Sequence, residues 1–326
     1  MIGASAGGVE ATRKLLSELP DDLAAAVLIV IHTGKGPNQL SSVFQRVTRL
    51  KLMSPTRDRH AIKNGSVYLA PPNCHMLVND GHICLSYGPR ENLHRPAIDP
   101  LFRSAANARG RNVIGVVLSG NLDDGAAGLL AIKECGGITL VQTPEDALFP
   151  GMPRNALERV EPDHVVPLAK MGPLLARLTQ KPPPRSLKTI PTRVKIESDI
   201  ADLQMSRNKI DCLGKPSQYA CPDCHGVLWE MKEGGQLRFR CRVGHAYSLE
   251  SLHEAMTEGS ENALWIALRA LEEKVSLLQR LAEDSRKRQG MSSARHFERR
   301  SKELLPATHA IRALLVKISE KESELK

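Results

Sequence analysis

Three residues near the start and middle of this 326-residue chain have side chains that could carry out acyl chemistry together. The first is Ser5, inside Gly3-Ala4-Ser5-Ala6-Gly7-Gly8. A G-x-S-x-G spacing places a serine on a tight turn between a strand and a helix, where glycines are needed because a Cβ on either side would not fit. Backbone N–H groups at the start of the following helix favour negative charge, so such a serine can attack a carbonyl while the oxyanion it creates is stabilised. The second is His32, whose imidazole could take the serine's proton near neutral pH. The third is Asp123 or Asp124: a carboxylate would fix the tautomer of the imidazole and stabilise its charged form. Each residue also has a plain reading, as turn filler, strand end or helix cap.

The elements around these residues would bring them to one edge. Val9–Leu19 reads as a helix ended by Pro20. Ala26–Ile31 is an unbroken apolar run of the kind found in strands buried on both faces of a parallel sheet. It ends at His32 and the loop Thr33–Pro37, and a helix is expected over Asn38–Thr48. Asn112–Leu118 is a second such strand, running into Ser119–Gly125 and a helix from Ala126 to Glu134. Ile138–Gln142 is a third. Residues 50–90 read as short strands with a hairpin turn at Asn79-Asp80-Gly81, followed by a helix over Asp99–Ala108. Alternating strands and helices imply a doubly wound, mainly parallel α/β sheet, whose carboxyl edge is the usual ligand-binding edge. Only Met1 and Ile2 precede the serine turn, which is short for the strand such a turn normally follows.

A second cluster lies at Cys221-x2-Cys224 and Cys241-x3-His245. Three thiolates and an imidazole satisfy a tetrahedral zinc ion and leave no open position, so a structural zinc is expected in a small β-ribbon with little core of its own. His225 competes as fourth ligand. Lys181–Tyr219 opens Lys-Pro-Pro-Pro-Arg and reads as a linker carrying 8 Lys+Arg against 4 Asp+Glu. After Leu249, apolar residues at 264, 268, 271, 275, 278 and 282 form a narrow helical seam. A second helical stretch follows the break at 289–293, carries Phe297, Leu304, Ile311, Leu315 and Ile318, and should be kinked by Pro306. The expected form is a helical hairpin whose seam packs on its own partner helix; a signalling partner for that tail is the sharper reading.

Net charge is +9 and aromatic residues are only 3% of the chain, too few for a base-stacking surface, which argues against nucleic acid. No apolar stretch is long enough to span a membrane, and no signal peptide is evident. Seven cysteines, three of them in the metal pattern, suit a reducing cytoplasm and not a disulfide framework.

The serine turn, the strand ending in His32, Asn92-Leu93-His94-Arg95-Pro96-Ala97-Ile98-Asp99, the segment from Leu118-Ser119-Gly120 to Asp124-Gly125-Ala126-Ala127-Gly128, and Phe149-Pro150-Gly151-Met152-Pro153-Arg154 together resemble the catalytic domain of CheB, the chemotaxis protein-glutamate methylesterase family. The resemblance covers about residues 1–178. It implies a serine hydrolase that demethylates glutamate methyl esters on chemoreceptor-like proteins and in some members deamidates glutamines, with no catalytic cofactor. Carried over position by position, Ser5 is the nucleophile, His32 the base and Asp124 the orienting acid, while Asp123 falls at a variable position. Oxyanion donors are expected near Ala6, with Asn121 as helper, and Arg95 borders the cleft as a substrate contact or a loop pin. His75 also falls at a family position and reads as structural. The family's Gly-Met-Gly turn is here Gly120-Asn121-Leu122. No receiver domain precedes the catalytic segment, so control by a phospho-aspartate in the same chain is not expected. A degenerate domain that recruits a signalling partner is the alternative. The organisation expected is 1–178 catalytic, 179–219 linker, 220–248 zinc ribbon and 249–326 helical hairpin.

Overall fold

A computed structural model describes residues 1–32, 39–56, 59–181, 189–203 and 210–324. Its centre is a seven-stranded, all-parallel sheet built from β1 (Ile2–Ala4), β2 (Val27–Ile31), β3 (Lys51–Met53), β5 (Ser66–Leu69), β8 (Ile114–Val117), β9 (Ile138–Gln142) and β10 (His164–Val166), in the order β10-β9-β8-β1-β2-β5-β3. A small antiparallel sheet beside it holds β4 (His60–Ala61), β6 (His75–Asn79) and β7 (His82–Ser86). The β6–β7 hairpin turns at Asp80 and Gly81, both with positive φ, as the Asn-Asp-Gly signal requires.

The unbroken apolar strands arise because both sheet faces are covered. Leu28 and Val30 of β2 face a core shared with α3 (Ile98–Arg109), α4 (Ala126–Glu134) and α5 (Gly151–Arg159). Val27, Ile29 and Ile31 face the opposite core, shared with α1 (Gly8–Ser17), α2 (Leu40–Gln45) and α6 (Leu168–Gln180). The chain leaves β1 in one direction along the sheet to β2 and in the other to β8, so β8, β1 and β2 are neighbours at the switch point. β1 is paired on both sides, with β2 and with β8.

The remaining elements are α7 (Thr192–Ala201), a four-stranded antiparallel ribbon of β11 (Lys215–Ala220), β12 (Val227–Glu233), β13 (Gln236–Cys241) and β14 (Ala246–Ser248), then α8 (Leu249–Lys287) and α9 (Met291–Glu324). Chain contacts divide the protein into two compact units, Met1–Leu252 and His253–Lys326. The ribbon therefore belongs to the same unit as the parallel sheet, and the segment expected as a linker is corrected in its described part: α7 buries Val194, Glu197 and Ile200. Its apolar spacing is too short to show a helical period, and its burial comes from tertiary partners. The Pro-rich start of that segment, and the loop Thr33–Pro37, lie outside the described residues.

Glu197 explains why α7 docks. It is 2% exposed and meets Arg238 of β13 at 3.0 Å and Arg240 at 2.8 Å. Arg240 also reaches Glu91 at 3.1 Å, and Arg103 of α3 is bonded to Glu91. Ions taken out of water survive only if paired. Burial alone would raise the Glu91 and Glu197 carboxyls, but the arginines outweigh it and hold both below the usual carboxylate range.

In the second unit the seam is closed by its own partner helix. Leu268, Val275, Leu278 and Ala282 of α8 are buried, as are Ala294, Ser301, Thr308 and Leu315 of α9 at heptad spacing. Arg286–Glu298 and Arg312–Glu272 set one antiparallel register. The α9 assignment continues through Pro306.

Glu197→Gln removes one of the two carboxylates that meet Arg238 and Arg240, leaving Glu233 on the first and Glu91 on the second, and is expected to cost about 3 kcal/mol in denaturant unfolding. Glu10→Gln, which breaks only the exposed Glu10–Arg13 pair, should leave the unfolding midpoint essentially unchanged. Because the folded carboxyls are depressed, the network's contribution is present above the unfolded value of about 4.3 and is lost as pH falls below it; Glu197→Gln should flatten that acid limb.

Candidate active site

The turn after β1 holds Ser5 in place by several specific bonds. Gly7, at φ +70, allows the chain to reverse, and the Gly8 N–H donates to Ser5 O at 2.8 Å. The Ser5 N–H donates to Ser119 O at 3.0 Å, tying the turn after β1 to the end of β8. Ser119 braces it further, its hydroxyl donating to Ala6 O at 2.8 Å and accepting from the Phe149 N–H at 2.9 Å. Gly120 must be glycine, since a Cβ there would lie 2.8 Å from Ser5 Cβ and 2.1 Å from Met152 Sδ.

Because β8, β1 and β2 are adjacent, their carboxyl ends deliver Asp124, Ser5 and His32 to one place. The Ser5 hydroxyl donates to His32 Nδ1 at 3.2 Å, and His32 Nε2–H donates to Asp124 Oδ2 at 2.8 Å. The ring thus presents Nδ1 to the serine and Nε2 to the carboxylate, opposite to the chymotrypsin arrangement but equivalent for proton transfer. The sequence left Asp123 and Asp124 open before the family comparison, and the geometry separates them: Asp123 turns to Ser248 at 2.7 Å and Arg159 at 3.5 Å.

Asp124 is buried beside its partner. Its Oδ2 also accepts from the Ile98 N–H at 2.6 Å, and Oδ1 accepts from Asn92 Nδ2 at 3.0 Å and the Asp99 N–H at 3.2 Å. Burial would raise this carboxyl, but the hydrogen bond and charge of His32 and the Ile98 N–H win and hold it well below the usual range. Asp99, fully buried next to that charge, is pushed up by desolvation and by Asp124. The two aspartates are therefore unequal, with Asp124 the one kept ionised.

His94 lies flat on His32, ring centroids 3.6 Å apart and planes 16° from parallel. Burial, and then the neighbouring His32, push His94 down to about 4, so it stays neutral beside His32 near neutral pH. Arg95 is spent on the loop: it donates to Asn73 Oδ1 at 2.9 Å, Tyr87 O at 3.0 Å and Gly88 O at 2.9 Å, which matches the loop-pin reading. His75 is likewise held between Pro89 O and the Ala97 N–H. Ala6 follows Ser5 directly. Asn121 is exposed and follows the glycine that packs on Ser5. Sequence reasoning missed Asn92, Ser119 and the stacking of His94; Asn92 stood inside a quoted motif, and its left-handed φ of +47 is a conformation asparagine tolerates.

In the ribbon, the ligand atoms of Cys221, Cys224, Cys241 and His245 lie within 4.8 Å of one another. Cys224 and Cys241 sulfurs are 3.6 Å apart and Cys241 Sγ is 3.5 Å from His245 Nδ1. The edge of a tetrahedron with bonds of about 2.3 Å is close to 3.8 Å, so the donor set fits a zinc-sized ion. His225 is not part of the group, leaving His245 as the fourth donor.

The CheB methylesterase family model matches residues 1–175. The protein-glutamate methylesterase/protein-glutamine glutaminase 3 of Burkholderia lata is 42% identical over 185 residues, 55% of this chain and 50% of that one, so the chain spans about half the length of that relative. A relative from Leptospira interrogans, named provisionally for the same two activities, is 38% identical over 182 residues, 55% of this chain and 94% of its own. The crystal structure of the Thermotoga maritima CheB methylesterase catalytic domain superposes with a TM-score of 0.51 at 28% identity, covering 54% of this chain and 96% of that one.

A histidine kept neutral in the folded state and free to protonate when unfolded makes stability fall with pH between about 6.5 and the folded value, by up to about 1.4 kcal/mol per pH unit. For His94 that window runs from 6.5 to about 4. His94→Phe keeps a ring on His32 and should flatten the stability slope across this window in urea titrations at stepped pH.

Proposed function

We propose that this chain, which belongs to the CheB methylesterase family, hydrolyses glutamate methyl esters on a methylated chemoreceptor-like protein through Ser5, His32 and Asp124. The observation that carries this reading is the continuous hydrogen-bonded line from the Ser5 hydroxyl through both ring nitrogens of His32 to a carboxylate held ionised. Ser5 Oγ attacks the ester carbonyl as its proton passes to His32 Nδ1. His32 then protonates the departing methoxide, which leaves as methanol. A water, deprotonated by the same nitrogen, attacks the acyl-enzyme; His32 returns that proton to Ser5 Oγ as the C–O bond breaks, and the glutamate side chain leaves as a carboxylic acid that ionises.

The Ser5 N–H is engaged by Ser119, so the oxyanion donors in this reading are the next backbone N–H groups, at Ala6 and Gly7, with the Asn121 side chain as helper. Leu148 and Phe149, exposed next to Gly7, offer apolar contact to a protein substrate at the cleft. Arg95 contributes by holding the cleft loop. An amide at the same carbonyl would release ammonia instead of methanol, which is the glutaminase activity in the relatives' names.

A structural zinc on Cys221, Cys224, Cys241 and His245 belongs to the same reading, supported by the donor set and its spacing. When bound it supplies cross-linking of the ribbon and no catalysis. No helix among the described residues is long and apolar enough to cross a membrane, and a cytoplasmic location is part of the proposal. The degenerate, partner-recruiting alternative is not favoured by a complete Ser-His-Asp line.

Wild type should release methanol from a methylated chemoreceptor fragment and react with a fluorophosphonate. Ser5→Ala should lose both, and Asp124→Asn should lower kcat by about 10^4-fold with the fold intact by circular dichroism. Wild-type turnover in Ser5→Ala would sink the mechanism.

A further inference from the structure

The support for the Asp124 carboxylate does not come from the matched region alone. Asn92, 2% exposed, joins two parts of the chain. On one side its Nδ2 donates to Asp124 Oδ1 and to Asp99 Oδ2, each at 3.0 Å. On the other side it is held by the ribbon. Its N–H donates to Ala246 O at 2.8 Å, and its Oδ1 accepts from the Ser248 N–H at 3.2 Å and the Ser251 hydroxyl at 3.3 Å. The Ala246 N–H returns a bond to Arg90 O at 3.3 Å, and Ser248 Oγ donates to Asp123 Oδ1. Strand β14 thus grips both the residue behind the triad carboxylate and the aspartate beside it.

That strand begins at the residue after His245. The knuckle feeding it is closed by bonds among the candidate ligands' own backbones: Cys241 N–H to His245 O at 3.0 Å and Gly244 N–H to Cys241 O at 2.9 Å. Arg240, already bonded to Glu91, donates to Gly244 O at 2.9 Å. An ion tying His245 to three thiolates would fix the start of β14, and β14 fixes Asn92.

We propose that the Cys3His ribbon is a positioning element of the hydrolase site: zinc held by Cys221, Cys224, Cys241 and His245 orders β14, β14 holds Asn92, and Asn92 aims Asp124 at His32. This rests on the enzymatic and zinc readings above. Asn92 acts as a positioning residue, through the two carboxylates it holds, Asp124 and its neighbour Asp99. Its Nδ2 is one of two donors to Asp124 Oδ1, the other being the Asp99 N–H, so its loss frees the carboxylate to turn away from His32.

The test uses the full chain. Bound zinc is measured by atomic emission, methanol release gives kcat and KM, and proton NMR follows the downfield His32 Nε2–H. Asn92→Ala is expected to lower kcat about 10- to 100-fold with KM within about twofold, and to weaken that resonance. Ser248→Ala/Ser251→Ala should give a smaller loss of the same kind. Zinc removal by a chelator should reproduce the Asn92→Ala result and zinc addition should reverse it, while Cys212→Ser, an exposed cysteine outside the cluster, should change nothing. Denaturant titration separates these effects from general destabilisation, and Asn92→Ala decides the matter if zinc removal unfolds the ribbon. Unchanged kcat and resonance in Asn92→Ala or in the zinc-free chain would overturn the proposal, as would a purified chain that binds no zinc. Absence of Ser5-dependent turnover in wild type would instead overturn the enzymatic reading, and the resonance would still report whether zinc and Asn92 hold the His32–Asp124 bond.

Discussion

Asp124 carries its charge in a place without water, and the architecture around it is a response to that cost. Desolvation alone would neutralise the carboxyl. The charge persists because donors arrive from His32 after β2, from the first turn of α3, and from Asn92 on the loop before it. None of these is local to Asp124 in sequence. They converge because the sheet reverses its winding at β1, which makes the strands carrying Ser5, His32 and Asp124 immediate neighbours.

The same economy governs the buried arginines. Arg103, Arg238 and Arg240 sit in the interior only because Glu91, Glu197 and Glu233 meet them there. Each partner lies on a different element, so the network joins the parallel-sheet layer, α7 and the ribbon into one unit. A buried ion pair adds little net stability against an apolar core, but it tolerates few alternative arrangements. Specific registration of the ribbon on the sheet domain is what such a network can supply, and it is what the Asn92 contacts need.

The two long helices follow a simpler rule. Their heptad seam is closed within the hairpin, and the ion pairs flanking it set one register. On α8 the sequence period translates into the buried stripe, whereas on α9 the buried stripe is Ala294, Ser301, Thr308 and Leu315, and the larger Phe297, Leu304, Ile311 and Ile318 are half-buried, because small side chains let the two helices approach.

Local chemistry could be read from the residues alone. The glycines around Ser5, the apolar strands, the Asp-Gly hairpin, the Cys/His spacing and the heptads all depend on neighbours within a few residues or on a fixed period. So the fold class, the serine turn and the four ligand candidates were legible, and family resemblance selected Asp124 over Asp123. Several matters were decided only by tertiary structure. These were the docking of α7 inside a stretch that reads as linker, the assignment of Arg95 to its own loop, the stacking of His94 on His32, and the joining of Ser248 and Ser251 to Asn92 across more than 150 positions. Each depends on which groups meet when distant segments pack. A buried polar atom must find a partner wherever the fold supplies one, and no spacing along the chain records where that will be.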